Sequence, residues 1–125
     1  MKKHRDENEE RLSIEATIEK YGFQVLWVAG EGGTSFCYTI GVWESYKLPE
    51  IIIVGLKTDI AHHVLNNVVN ELSCGRIFET NVDYEGFVQD FPMMFKPVHQ
   101  SNIHDYFGTA IRYYGTDAFP AWQLF

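Results

Sequence analysis

The chain has 125 residues, the size of one ordinary domain, and 46% of them are hydrophobic, enough material for a single core. Lys and Arg total 10 against 17 Asp and Glu, a formal net charge of −7. That balance argues against a nucleic-acid polymer as partner, because binding a polyanion rests on dense basic contacts to phosphate. A small anion stays open, since one or two guanidinium groups and a few backbone N–H groups suffice to hold it.

The opening MKKHRDENEER is charged and lacks the apolar stretch of a secretory signal. No apolar run approaches the roughly 18–20 residues of a membrane span. The two cysteines, Cys37 and Cys74, are far apart and form neither a CxxC pair nor a disulfide framework. These features predict a reduced, cytoplasmic chain with no membrane association, folded as a single domain over residues 1–125.

Residues 1–11 read as a solvated, fraying helix start. Ile14, Ile18 and Tyr21 then recur at helical spacing, with Leu12 and Ala16 beside them, and the helix is expected to stop near Gly22. Residues 23–29 read as a strand, apolar on both sides except at Gln24 and therefore expected to be central in its sheet. The glycines at 30, 32 and 33 predict a turn joining it in a hairpin to a second strand, 35–41. In that strand Phe36, Tyr38 and Ile40 share one face, and Cys37, Thr39 and Gly41 the other.

Residues 42–49 are expected as a loop, followed by the β-branched strand Ile51-Ile52-Ile53-Val54. Thr58 is placed to cap a helix whose buried face is Ile60, Val64, Leu65, Val68 and Leu72 and which stops at Gly75. Residues 76–80 and 86–90 read as short strands or a loop excursion. Residues 93–99 read as a strand that Pro97 confines to a sheet edge or ends, 101–113 as a short helix, and 119–125 as a last strand. The order predicts an α+β fold: a small mixed or antiparallel sheet, or a partly closed barrel, flanked by two to three helices.

Two stretches, Phe36-Cys37-Tyr38-Thr39-Ile40-Gly41-Val42-Trp43 and Pro49-Glu50-Ile51-Ile52-Ile53-Val54-Gly55-Leu56, carry a resemblance. So do Arg112-Tyr113-Tyr114 and Phe119-Pro120-Ala121-Trp122-Gln123-Leu124 near the end. Together they resemble an uncharacterised bacterial family of domains of unknown function (DUF4262), from Tyr21 onward. The resemblance implies no established activity. Members often carry a histidine directly before the Pro-Glu pair, where this chain has Leu48, and tend to continue past the Gln-Leu strand, where this chain ends at Phe125. A fainter similarity runs to flavin-reductase-like split barrels.

The candidate chemistry is for binding; no catalytic set is complete. Glu50 opens an apolar strand and is expected at the rim of the sheet, where a carboxylate accepts hydrogen bonds from a ligand. Trp43 and Tyr46 are placed to stack on a planar ligand. Arg112 offers a bidentate fork to phosphate or carboxylate. Thr39 joins these at the end of its strand, so Thr39, Trp43, Tyr46, Glu50 and Arg112 are expected around one pocket.

His62 and His63 point about 100° apart on a helix and cannot share a metal, which needs an i, i+4 pair; one is expected to pack and the other to face solvent. No metal is expected. Three functions fit this pattern: a binding or sequestering domain for a nucleotide-like or other aromatic anion; a flavin-binding oxidoreductase related to split barrels; and a protein-interaction module of the immunity or inhibitor kind. A homodimer is expected from the surplus of aromatics and an edge strand.

Overall fold

A computed structural model describes residues 2–29 and 35–125. Helix α1 (Lys2–Tyr21) leads into a hairpin of β1 (Gln24–Ala29) and β2 (Ser35–Ile40). A short helix α2 (Val42–Tyr46) precedes β3 (Glu50–Val54), and α3 (Thr58–Ser73) follows it. Strands β4 (Asp83–Val88) and β5 (Phe91–Pro97), helices α4 (Gln100–Tyr106) and α5 (Gly108–Tyr114), and strand β6 (Ala121–Leu124) complete the chain. The glycine turn expected at 30–33 lies outside the described residues. No helix among the described residues is long and apolar enough to cross a membrane.

The six strands form one open mixed sheet in the order β1-β2-β3-β6-β5-β4, so the fold is α+β and the sheet does not close into a barrel. All neighbours run antiparallel except β3 and β6, whose parallel pairing sets Glu50 beside Ala121 and Ile52 beside Gln123. Alternation along β2 and β3 splits the core in two. Phe36, Tyr38, Ile40 and Ile52 face α1, α4 and α5, where Ile14, Ile18, Ile103, Phe107 and Ala110 cover them. Cys37, Ile51 and Ile53 face α3, where Ala61, Val64, Leu65, Val68 and Leu72 do the same.

Several expectations change. Strand β1 is an edge strand, not a central one. Its residues are apolar on both sides because helices pack on both of its faces: Leu26 and Val28 join the α1 cluster, and Val25 joins the α3 cluster. A run apolar on both faces therefore reports covering layers and says nothing of strand neighbours. Pro97 ends β5 inside the sheet, where its missing N–H breaks no ladder and the next N–H, of Val98, donates to Ala121 O at 2.8 Å. The single helix expected over 101–113 is two, broken at Phe107 (φ −104°, ψ 38°) before Gly108. Thr58 is the first residue of α3 rather than its cap, since Lys57 takes the cap position. His62 and His63 are both exposed.

Candidate functional site

The stretch expected to be a loop after β2 instead turns sharply at Gly41 and coils into α2. Gly41 has φ 109°, a left-handed conformation, and a Cβ there would come within 2.8 Å of the Ile18 side chain and 3.0 Å of Phe23 Cα. Glycine is required on both counts. A five-residue helix has no room for an apolar stripe and little intrinsic stability. Its first N–H groups need an acceptor, and the side chain of Glu50, arriving from β3, supplies it.

Glu50 is 0% exposed. Its oxygens accept from five donors: Thr39 Oγ1 at 2.7 Å, Gly41 N at 3.0 Å, Val42 N and Trp43 N at 3.2 Å, and Tyr114 OH at 2.5 Å. The two hydroxyls are themselves held in place. Thr39 Oγ1 accepts from Ile51 N at 2.9 Å, and Tyr114 OH accepts from Gly41 N at 2.9 Å. The backbone of Glu50 is tied as well, its N–H donating to Pro120 O at 3.0 Å.

This carboxylate therefore fastens four elements at once: the end of β2, the start of α2, β3 itself and α5. Burial pushes its pKa above the ordinary carboxylate range, and hydrogen bonds from Tyr114, Thr39 and the backbone pull it only part of the way back. The Tyr114 phenol is pushed up in turn, by burial and by the adjacent Glu50.

The expected rim carboxylate is thus an interior one. A residue that opens a strand ordinarily meets solvent, but the parallel neighbour β6 and helices α2 and α5 close over this end of β3. Thr39 is likewise 0% exposed, and Trp43 is half-buried against the α5-side core with Lys47 Nζ 5.9 Å from its ring centre. Thr39, Glu50 and the backbone of Trp43 do come together, but in the interior and not around a pocket.

Tyr46 and Arg112 do not join them. Tyr46 lines a cleft with Phe23, Asn67 and Asn70, and Arg112 stands on α5 with its guanidinium 3.1 Å from Glu10 Oε1 and 3.0 Å from Thr109 Oγ1. The residue at Glu50 that sequence reading passes over is Tyr114. Its only signal is its place in the Arg112-Tyr113-Tyr114 run, and 64 residues separate it from Glu50.

A groove of about 380 Å³ opens between α1 and α5, lined by Asn8, Glu10, Arg11, Ile14, Thr109, Arg112 and Tyr113. Arg112 is 52% exposed there, and the Arg11 guanidinium lies 6.0 Å from the centre of the Tyr113 ring. The Tyr113 hydroxyl donates to Glu44 Oε2 at 2.9 Å, and burial together with Glu44 pushes this phenol up. The lining carries two arginines against one glutamate, in a chain with 10 basic and 17 acidic residues.

No curated protein and no solved structure matches the chain. The model of one family does, over residues 17–125, a span that holds β1 through β6 together with Gly41, Glu50 and Tyr114. The chain belongs to that family, DUF4262, a domain of unknown function.

Proposed function

We propose that this protein binds or sequesters a small aromatic anion, of the nucleotide-like kind, in the groove between α1 and α5. The observation that supports the reading is the pair of arginines, Arg11 and Arg112, in the lining of the groove. Arg112 offers its planar fork at half exposure, and Arg11 lies over the Tyr113 ring, in a molecule whose net charge of −7 otherwise repels anions. An incoming phosphate or carboxylate replaces Glu10 as the partner of Arg112, and the aromatic part of the ligand lies against Tyr113 and Ile14. Thr39, Trp43 and Glu50 act from within, holding α2 and α5 to the sheet so that Arg112 keeps its place. A cytoplasmic setting agrees with two free thiols, one of them, Cys74, exposed.

The test is calorimetry and thermal shift with AMP, FMN, adenosine and inorganic phosphate. The phosphorylated ligands are expected to raise Tm and adenosine to do so weakly. Arg112→Lys is expected to weaken AMP far more than adenosine, because a lysine cannot reproduce the bidentate fork. Folded protein that shows no response to millimolar AMP or FMN ends this reading. Flavin absorbance in the purified protein would favour the oxidoreductase alternative instead. Light scattering tests the homodimer, for which the uncharged edge strand β1, with Trp27 51% exposed, is the supporting feature.

A further inference from the structure

Helix α3 presents an unusual surface. Its inner face is aliphatic, but its outer positions His62, Asn66, Asn70 and Ser73 follow at spacings of four, four and three. Residues so spaced stand above one another, forming a single ridge roughly 16 Å long at 1.5 Å per residue. Asparagine, histidine and serine are among the weaker helix formers, and solvent-facing positions usually favour lysine, glutamate or alanine. Here the ridge gives up helix propensity and carries no charge. Departures of this kind from local preference cluster at functional surfaces.

The ridge borders two adjoining clefts, of about 410 and 330 Å³, that share Tyr21, Phe23 and Asn66 and so form one continuous groove between α3 and the junction of α1 with β1. Neither lining includes a lysine, arginine, aspartate or glutamate. Two tyrosines stand along it, Tyr21 at 63% exposure and Tyr46 half-buried. Gln24 lines the first cleft, and its Oε1 is buried beside it with no hydrogen-bond partner. A buried polar atom left unpaired costs stability until something supplies its partner.

We infer that this groove is a second binding site, for a neutral polyhydroxylated molecule such as a mono- or disaccharide. The lining itself offers an anion no cation and a cation no carboxylate, Lys20 Nζ standing outside it, 5.1 Å from the centre of the Tyr21 ring. A hydroxyl group both donates and accepts, and so does each side-chain amide, so a row of amides matches a row of hydroxyls without charge. The tyrosine rings offer apolar platforms for the C–H face of a sugar ring. The combined volume suits a small molecule. This site is independent of the α1–α5 groove in place and in ligand charge.

The experiment is an amide-resolved NMR titration with methyl glucoside, maltose and N-acetylglucosamine, using glucose 6-phosphate as a charged control. At least one neutral sugar is expected to shift signals of Tyr21, Gln24, Asn66 and Asn70, and the double variant Asn66→Ala/Asn70→Ala to weaken that sugar by about tenfold or more. Because both substitutions raise helix propensity, the variant is expected to melt no lower than the natural protein, which separates lost binding from lost folding. No shift with any neutral sugar overturns the proposal. So do shifts that survive the double variant, or a response to glucose 6-phosphate alone. The AMP titration of the unaltered protein reports separately on the α1–α5 groove.

Discussion

The two faces of the sheet are both covered by helices, yet the covers are attached by different chemistry. On the α3 face, Val64, Leu65, Val68 and Leu72 meet Cys37, Ile51 and Ile53, and among the described residues no side-chain hydrogen bond crosses from α3 to the sheet. On the other face, hydroxyl groups reach across the apolar contact. Tyr38 OH accepts from Thr109 N at 3.1 Å, Tyr113 OH donates to Glu44, and Tyr114 OH links Gly41 to Glu50. Burial of methyl groups is strong but non-directional, so it holds a helix against a sheet without fixing where along it the helix rests. Hydrogen bonds weaken steeply off their preferred distance and angle, so three of them around α5 fix its position. The α5 face is therefore the one whose helix is fixed in place by directional bonds, and Arg112 stands on that helix.

The largest effect that would break this contrast comes from Glu50→Ala. It leaves the N–H groups of Val42 and Trp43 and the hydroxyls of Thr39 and Tyr114 without their acceptor in a dry interior, while Gly41 N keeps Tyr114 OH; each unmet group costs about 1–3 kcal/mol, so a loss of more than about 4 kcal/mol is expected in urea denaturation. A loss near 1 kcal/mol would mean that water or a rearranged α2 replaces the carboxylate, and the anchoring role would fall.

Next come Ile51→Ala and Ile52→Ala. These neighbours point to opposite faces, at 0% and 3% exposure, and each truncation is expected to cost about 2–5 kcal/mol. Similar values would place the asymmetry between the faces in polar groups. A much cheaper Ile52→Ala would instead show a looser core under α5.

Tyr114→Phe removes a hydroxyl and no apolar bulk. A loss of about 1–2 kcal/mol is expected, with weaker AMP binding at the α1–α5 groove if α5 shifts.

The pH dependence sharpens the same point. The folded protein raises the pKa of Glu50 above its unfolded value, so it holds that proton more tightly than the unfolded chain does. By linkage, the contribution of Glu50 to stability is full below the ordinary carboxylate pKa and declines as pH rises through the folded value. Glu50→Gln cannot titrate, and it also turns an NH2 toward N–H donors. The advantage of the natural protein over this variant is expected to be greatest in acid and to shrink as pH rises above the ordinary carboxylate range. An advantage that grows over that range would mean that the five donors outweigh burial.

Much of the frame was legible in the sequence because its signals are local. Ile51-Ile52-Ile53-Val54 reads as a strand from β-branching alone, α3 from the spacing of Val64, Leu65, Val68 and Leu72, and the β1–β2 hairpin from two apolar runs around glycines. What stayed hidden depends on partners distant in the chain. Helix α2 is too short to show a period, and its N–H groups are met by a carboxylate that arrives after the helix has ended. Tyr114 meets Glu50 only because β6 pairs in parallel with β3 and α5 precedes β6. Glu50 and Trp43 could be singled out from position, but whether a strand-opening carboxylate faces water or the interior is decided by what closes over it. For Glu50 that is β6, α2 and α5, none of which adjoins it in sequence in a way that announces the closure.

The smallest expected effect has the opposite sign to the others. On α1 the exposed positions are largely charged, as at Glu9, Glu15 and Glu19, and glutamate is already a good helix former. Along the α3 ridge they are His62, Asn66, Asn70 and Ser73, none of them charged. Glu19→Ala is therefore expected to change stability little, whereas Asn66→Ala and Asn70→Ala are each expected to stabilise the protein by about 0.5 kcal/mol, the propensity gap between asparagine and alanine at an exposed helical site. Neither asparagine side chain makes a hydrogen bond that the substitution would sacrifice; Asn70 is engaged through its backbone carbonyl, which accepts from Ser73 Oγ at 2.8 Å. A rise in Tm for both asparagine variants, measured beside an unchanged Glu19→Ala, would show that the α3 ridge is kept at the expense of stability. A fall in Tm would instead give these asparagines a place in holding the fold, and the groove beside them would lose its claim to be a surface maintained for a ligand.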